Sequence, residues 1–114
     1  MKAGVRPNYH TVIDARGREL HQLIAQKIRR DPELLQKARE TLARWLGQAR
    51  ENDRSRDSLT EWQALLERPL EEILSFIASD DEEPNRLRQS SPFAGILTEE
   101  ERGEILRKYE SFRP

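Results

Sequence analysis

The stretch DPELLQKARETLARWLGQA, residues 31–49, decides the fold class. Leu35, Ala38, Leu42, Trp45 with Leu46, and Ala49 recur at steps of three and four, the spacing that gathers side chains on one face of an α-helix. Asp31 suits an N-cap, because its carboxylate can accept from backbone N–H groups left open by the first turn. Pro32 suits the first helical position, where its missing N–H costs nothing. Glu33 with Lys37 and Glu40 with Arg44 form i,i+4 pairs in the favourable orientation, each worth about 0.2–0.5 kcal/mol. Together these features predict a helix from Pro32 to about Ala49.

The same period continues on both sides. Upstream, Leu20, Leu23, Ile24 and Ile28 predict a helix from about Ala15 to Arg29, capped by Asp14. Gly17 weakens its first turn by about 1 kcal/mol relative to Ala. Residues 1–13, with Gly4, Pro7 and Asn8, read as a flexible N-terminal arm ahead of a single helical domain over 14–110. The two-residue junction at Asp31-Pro32 predicts an antiparallel hairpin of these two helices. Downstream, residues 50–57 contain no apolar side chain and read as a solvated loop. Ser58-Leu-Thr-Glu61 has the form of a capping box, so the next helix is expected from Leu59, with Leu59, Trp62, Leu65 and Leu66 inward. Pro69 breaks it, and Leu70, Ile73, Leu74 and Ile77 make a second short apolar face. The acidic run Asp80–Glu83 before Pro84 suits the N-terminus of a short helix to about Gln89. Thr98-Glu-Glu-Glu101 is another capping box, opening a last helix to about Tyr109 with Ile105, Leu106 and Tyr109 inward. No strand-like alternation and no internal repeat is present. The expected fold is all-α, a compact bundle of five or six short helices.

Composition narrows the function classes. The 114 residues suffice for one modest core. Charged residues make up 36% and hydrophobic ones 35%, a lean balance for a globular chain, while the net charge of −1 produces little self-repulsion. A protein this lean gains stability readily from a partner. With no cysteine, disulfides, a thiolate nucleophile and a Cys-ligated zinc site are excluded. Met1–His10 contains no apolar run of the secretory-signal kind, and no stretch is apolar enough to span a membrane, so a cytoplasmic protein is expected. Balanced charge disfavours a dedicated nucleic-acid binder.

The helical pattern stops at residues 87–102, LRQSSPFAGILTEEER. Ser90, Ser91 and Pro92 interrupt it, and Phe93, Ile96 and Leu97 follow within a polar loop. Such an apolar triplet is buried either against the chain's own helices or against a partner. A loop aromatic flanked by Pro92 and Gly95 is pre-organised, as an interface anchor needs to be, and an anchor of this kind carries about 2 kcal/mol of binding. The candidate partner-binding residues are therefore Arg88, Ser90, Ser91, Pro92, Phe93, Ile96 and Leu97.

No catalytic set emerges. His10 and His21 are eleven residues apart, which is not a helical ligand spacing, and His21 reads as a surface or boundary residue. The acidic run lacks the alternating oxygen ligands and glycine of a calcium loop. Ser90 and Ser91 lack nucleophile-elbow glycines and read as turn hydroxyls. There is no phosphate-binding glycine loop. Neither a cofactor nor a metal is expected. Trp45 and Trp62 lie on apolar faces and are expected to pack in the core.

The run RLRQSSPFAGILTEEER, 86–102, resembles a motif of small bacterial helical proteins. DPELL at 31–35 with ARETLARW at 38–45 is similar to their first half, and the Trp62 helix followed by LEEIL at 70–74 to their middle. The resemblance spans residues 20–106. Some proteins of this kind resemble antitoxins or chaperones encoded beside a toxin, one being similar to the small partner of a zeta-toxin-like kinase. The resemblance implies an antitoxin or toxin-chaperone that occludes an enzymatic, kinase-like toxin and performs no catalysis itself. The alternative is a small helix-turn-helix transcription regulator. Residues 99–110 carry more acid than base, which counts against a recognition helix there.

Overall fold

In a computed structural model, which describes residues 9–51 and 53–110, the chain is all-α. The described residues form six α-helices: α1 Tyr9–Arg30, α2 Leu35–Gln48, α3 Arg54–Leu65, α4 Leu70–Ile77, α5 Glu82–Leu87 and α6 Glu99–Lys108. Three single 3₁₀ turns, Pro32–Leu34, Arg88–Ser90 and Ala94–Ile96, link them. No helix among the described residues is long and apolar enough to cross a membrane.

Several starts differ from the sequence-based expectation, each for a local reason. α1 begins at Tyr9, so Asp14 lies inside it and residues 9–13 are helix rather than arm. No proline or glycine stands between Tyr9 and Ala15, and Ile13 extends the row Leu20, Ile24, Ile28. Residues 1–8 of the expected arm lie outside the described residues, as does the side chain of His10. Asp31 precedes the Pro32–Leu34 turn without a side-chain cap bond; its carbonyl instead accepts from the Leu34 amide at 3.0 Å. α3 starts at Arg54, not Leu59, because the Asp53 carboxylate accepts from the Ser55 amide at 3.0 Å. Ser58 is consequently an interior helical residue and the polar run 54–57 is helix.

Pro69 acts as expected. α3 closes at Leu65, and extended backbone at Pro69 launches α4. The Thr98 capping box is complete: Thr98 Oγ1 accepts from the Glu101 amide at 3.0 Å, and Glu101 Oε1 accepts from the Thr98 amide at 2.8 Å.

Packing does not follow the hairpin expectation. α1 packs chiefly on α4 and also on α6, whereas α2 packs on α3. The Pro32–Leu34 turn is therefore a corner between two helix pairs. One continuous core joins Ile24 and Ile28 of α1, Leu35 and Leu42 of α2, Leu59 and Trp62 of α3, and Ile73, Leu74 and Ile77 of α4. Trp62 is fully buried and Trp45 is half-buried at the edge. Ile105 of α6 is buried, while Leu106 and Tyr109, the residue that caps the helix C-terminus, are half-buried.

Emptying a buried aliphatic site removes transfer energy and leaves a cavity. Leu42→Ala and Ile73→Ala, at 3% and 0% exposure, should each cost about 2–5 kcal/mol in chemical denaturation. Losses under about half a kcal/mol would place these faces outside the core.

Candidate functional site

The segment 88–97 closes onto the core. Phe93 has no exposed surface, and its ring meets Trp62 edge-on at 5.6 Å between centroids. Trp62 meets Phe76 on another side at 6.3 Å. The indole Nε1–H donates to the Leu87 carbonyl at 3.1 Å and lies 3.3 Å from Ser90 Oγ. Pro92 and Ile96 are buried, Ser90, Ser91 and Leu97 are half-buried, and Ala94 and Gly95 are exposed. Of the candidate partner-binding residues, Arg88, Pro92, Phe93 and Ile96 thus hold the segment from inside. Their influence on a partner runs through the shape they impose. Ser90, Ser91 and Leu97 keep part of their surface outside.

His21 is 5% exposed, which corrects the expectation of a surface or boundary residue. Two partners make burial tolerable. Nδ1 lies 2.7 Å from the Gly17 carbonyl and Nε2 lies 2.6 Å from Ser91 Oγ. A carbonyl can only accept, so Nδ1 carries the proton and Nε2 accepts from the Ser91 hydroxyl. Ser91 Oγ also accepts from the Phe93 amide at 3.2 Å, which makes it the turn hydroxyl the sequence suggested. The pair is therefore a latch between α1 and the loop. Burial, with the nearby Arg88 charge adding to it, lowers the His21 pKa to about 4. The ring is neutral at pH 7.

Arg88 is 7% exposed. Its Nη1 donates to the carbonyls of Ile77 at 2.9 Å and Ser79 at 2.6 Å, where α4 ends, and Nη2 donates to Asn85 Oδ1. It thus closes the C-terminus of α4, a favourable place for a cation. Nε is buried with no hydrogen-bond partner among the described residues. Desolvation lowers the Arg88 pKa, and no carboxylate forms an ion pair with it among the described residues.

Between the first half of α1 and this segment lies a cleft of about 450 Å³. Its walls include Ile13, Leu20 and Leu97, with His21, Ser91 and Arg88 among the polar groups. On the far side of the loop, Lys27 of α1 donates to the Ile96 carbonyl at 2.9 Å and to Glu101 Oε1 at 2.7 Å, so the capping carboxylate of α6 also anchors α1. Among the described residues, no group of three or more His, Asp or Glu side chains is placed to hold a metal ion.

No known protein family matches this chain, and no curated protein or solved structure shows significant similarity to it. The chemistry of the segment 88–97 and its cleft therefore carries the functional reading.

Two measurements check this geometry. An unfolded histidine binds a proton near pH 6.5, while folded His21 resists protonation until about pH 4. The stabilisation is therefore complete above pH 6.5 and lost as pH falls towards 4, by about 3 kcal/mol at 1.36 kcal/mol per unit. His21→Gln should flatten that slope in denaturation series from pH 7 to 4; an unchanged slope would place the His21 ring in water. Separately, Phe93→Ala should cost about 3–5 kcal/mol of folding stability, as expected for emptying a buried aromatic site. A variant that melts like the parent would show that Phe93 is not a core residue.

Proposed function

We propose that this chain works by binding a protein partner, as an antitoxin or toxin-chaperone that occludes a co-encoded, kinase-like enzyme in the cytoplasm. The observation that carries this reading is the fixed shape of a segment with little regular structure. Phe93 against Trp62, Ser91 against His21, Arg88 on the end of α4 and Lys27 on the Ile96 carbonyl hold residues 88–97 from four directions. A surface fixed before binding loses less entropy on association.

The polar groups at the segment support binding over catalysis. Ser91 Oγ is engaged by His21 and by the Phe93 amide, and His21 is oriented by a carbonyl rather than by a carboxylate. A histidine with a pKa of about 4 is a weak base near neutral pH. The resemblance of residues 20–106 to small bacterial toxin partners supplies the class of partner. Leu97 and the exposed Ala94 offer contact surface on the segment, beside the half-exposed Ile13 and Leu20 of α1.

The test is co-expression with the product of the adjacent reading frame. Restored growth and a co-eluting complex are the expected results. Ala94→Arg and Gly95→Arg, at exposed sites with room for a side chain, should weaken the complex at least about thirtyfold while leaving the melting temperature within a few degrees. A neighbour that is harmless alone, or a complex indifferent to both substitutions, would overturn the reading.

A further inference from the structure

The cleft beside the latch has features that a protein-contact surface does not require. Among the described residues, its lining carries the cations Arg16, Arg88 and Arg102 against one carboxylate, Asp14, in a chain whose net charge is −1. Neither Arg16 nor Arg102 forms an ion pair among the described residues. At its inner wall, Arg88 is more than nine-tenths buried and its Nε–H has no partner among the described residues. Buried N–H groups are nearly always satisfied, so an orphan on a cation marks a place where an acceptor belongs.

Gly17 stands beside that atom. A methyl group built on it would lie 3.9 Å from Nε, so the helix wall is bare where Nε approaches it. The rest of the lining combines aliphatic side chains, Ile13, Leu20 and Ile24 from α1 with Ala94 and Leu97 from the loop, and the polar His21, Asn85, Gln89 and Ser91. A cleft of about 450 Å³ that sets an aliphatic strip beside convergent polar and cationic groups has the size of a small-molecule site and the character of one for an amphiphile.

We propose that this cleft binds a small amphiphilic carboxylate, with its headgroup drawn to Arg88 and Arg102 and its apolar body along Ile13, Leu20 and Leu97. One negative charge suits the lining better than two, because Asp14 shares it. Nε lies just behind the cleft surface, so the headgroup is held by the positive charge of Arg88 at the inner wall together with that of Arg102. The proposal uses the same Ile13, Leu20, Ala94 and Leu97 surface as the antitoxin reading, but its test is made on the isolated chain, so either can fail without the other.

Sodium octanoate is the probe, 1-octanol the neutral control and inorganic phosphate the control without a tail. Titration of the full chain, followed by calorimetry and by the arginine Nε–H resonances, should show octanoate binding at about 1 mM or tighter and a shift of the Arg88 signal. Octanol should bind at least about tenfold more weakly. Gly17→Leu, which replaces a helical glycine by a better helix former, should keep the fold and reduce octanoate affinity at least about tenfold. Arg102→Gln, at an exposed and unpaired position, is the second variant and should lose about threefold or more. Equal binding of octanol and octanoate would make the cleft a plain apolar crevice. A shift of the Arg88 signal by phosphate alone would make it a simple anion site. Either result, or a silent Arg88 signal, overturns the proposal.

Discussion

The structure depends on one contact between distant parts of the chain, the edge-on meeting of Phe93 and Trp62 in the centre of the core. Both rings are wholly buried. Trp62 also touches Phe76 and donates its indole N–H to the backbone of α5 at Leu87. A bulky ring with one polar edge can be buried only if that edge finds an acceptor, and the end of α5 provides it. The loop that delivers Phe93 therefore positions α5 and α6 on the first four helices. Without it, the α2–α3 and α1–α4 pairs would expose their shared apolar face.

A protein with so few apolar residues has to close its helix ends by other means. Arg88 closes the end of α4, Arg39 donates to the Leu66 carbonyl at 2.8 Å just beyond α3, and Arg56 donates to the carbonyls of Leu46 and Ala49 at 3.1 and 3.3 Å at the end of α2. These guanidinium groups satisfy carbonyls that the helices leave open, and their stems cover apolar surface. The charged residues, 36% of the chain, are therefore partly structural. Their contribution comes more from capping than from ion pairing. Exposed pairs such as Arg29–Glu71 at 3.0 Å are worth little in water.

Features decided within a few residues were legible in the sequence. The all-α class, the break at Pro69, the Thr98 capping box and the burial of Leu42 and Ile73 each follow from local spacing. Caps with a nearby competitor were not. Asp53 took the N-terminus that Ser58 seemed to mark, because a cap five residues earlier admits a longer helix. The antiparallel pairing of α1 and α2 failed for a different reason: a short junction limits where the chain can go, but the fit of apolar faces chooses the neighbour, and α4 fits α1. At the site, the alternatives for Phe93 could be separated only by knowing whether Trp62 had space beside it. His21 was misread because its partner Ser91 is seventy residues away and the polar neighbours of His21 gave no sign of burial.

The two sides of the 88–97 segment differ in how fully their polar atoms are used. Toward Trp62 the indole N–H and the Ser90 hydroxyl meet acceptors at Leu87, and toward α6 Lys27 gathers the Ile96 carbonyl and Glu101. Toward the first half of α1 the latch is satisfied, but the arginine beneath it has one buried N–H without a partner among the described residues. That imbalance is costly for a chain with a lean core, since an unpaired buried donor forfeits about 1–3 kcal/mol. An apolar residue in place of Arg88 would avoid the cost but leave the carbonyls of Ile77 and Ser79 open instead. The arginine is thus retained for the end of α4, and its geometry leaves a positive, unsaturated edge against Gly17, where α1 has no side chain to cover it. The demands of closing a helix have placed a guanidinium at the inner wall of the cleft, beside the one position on that stretch of α1 that carries no side chain.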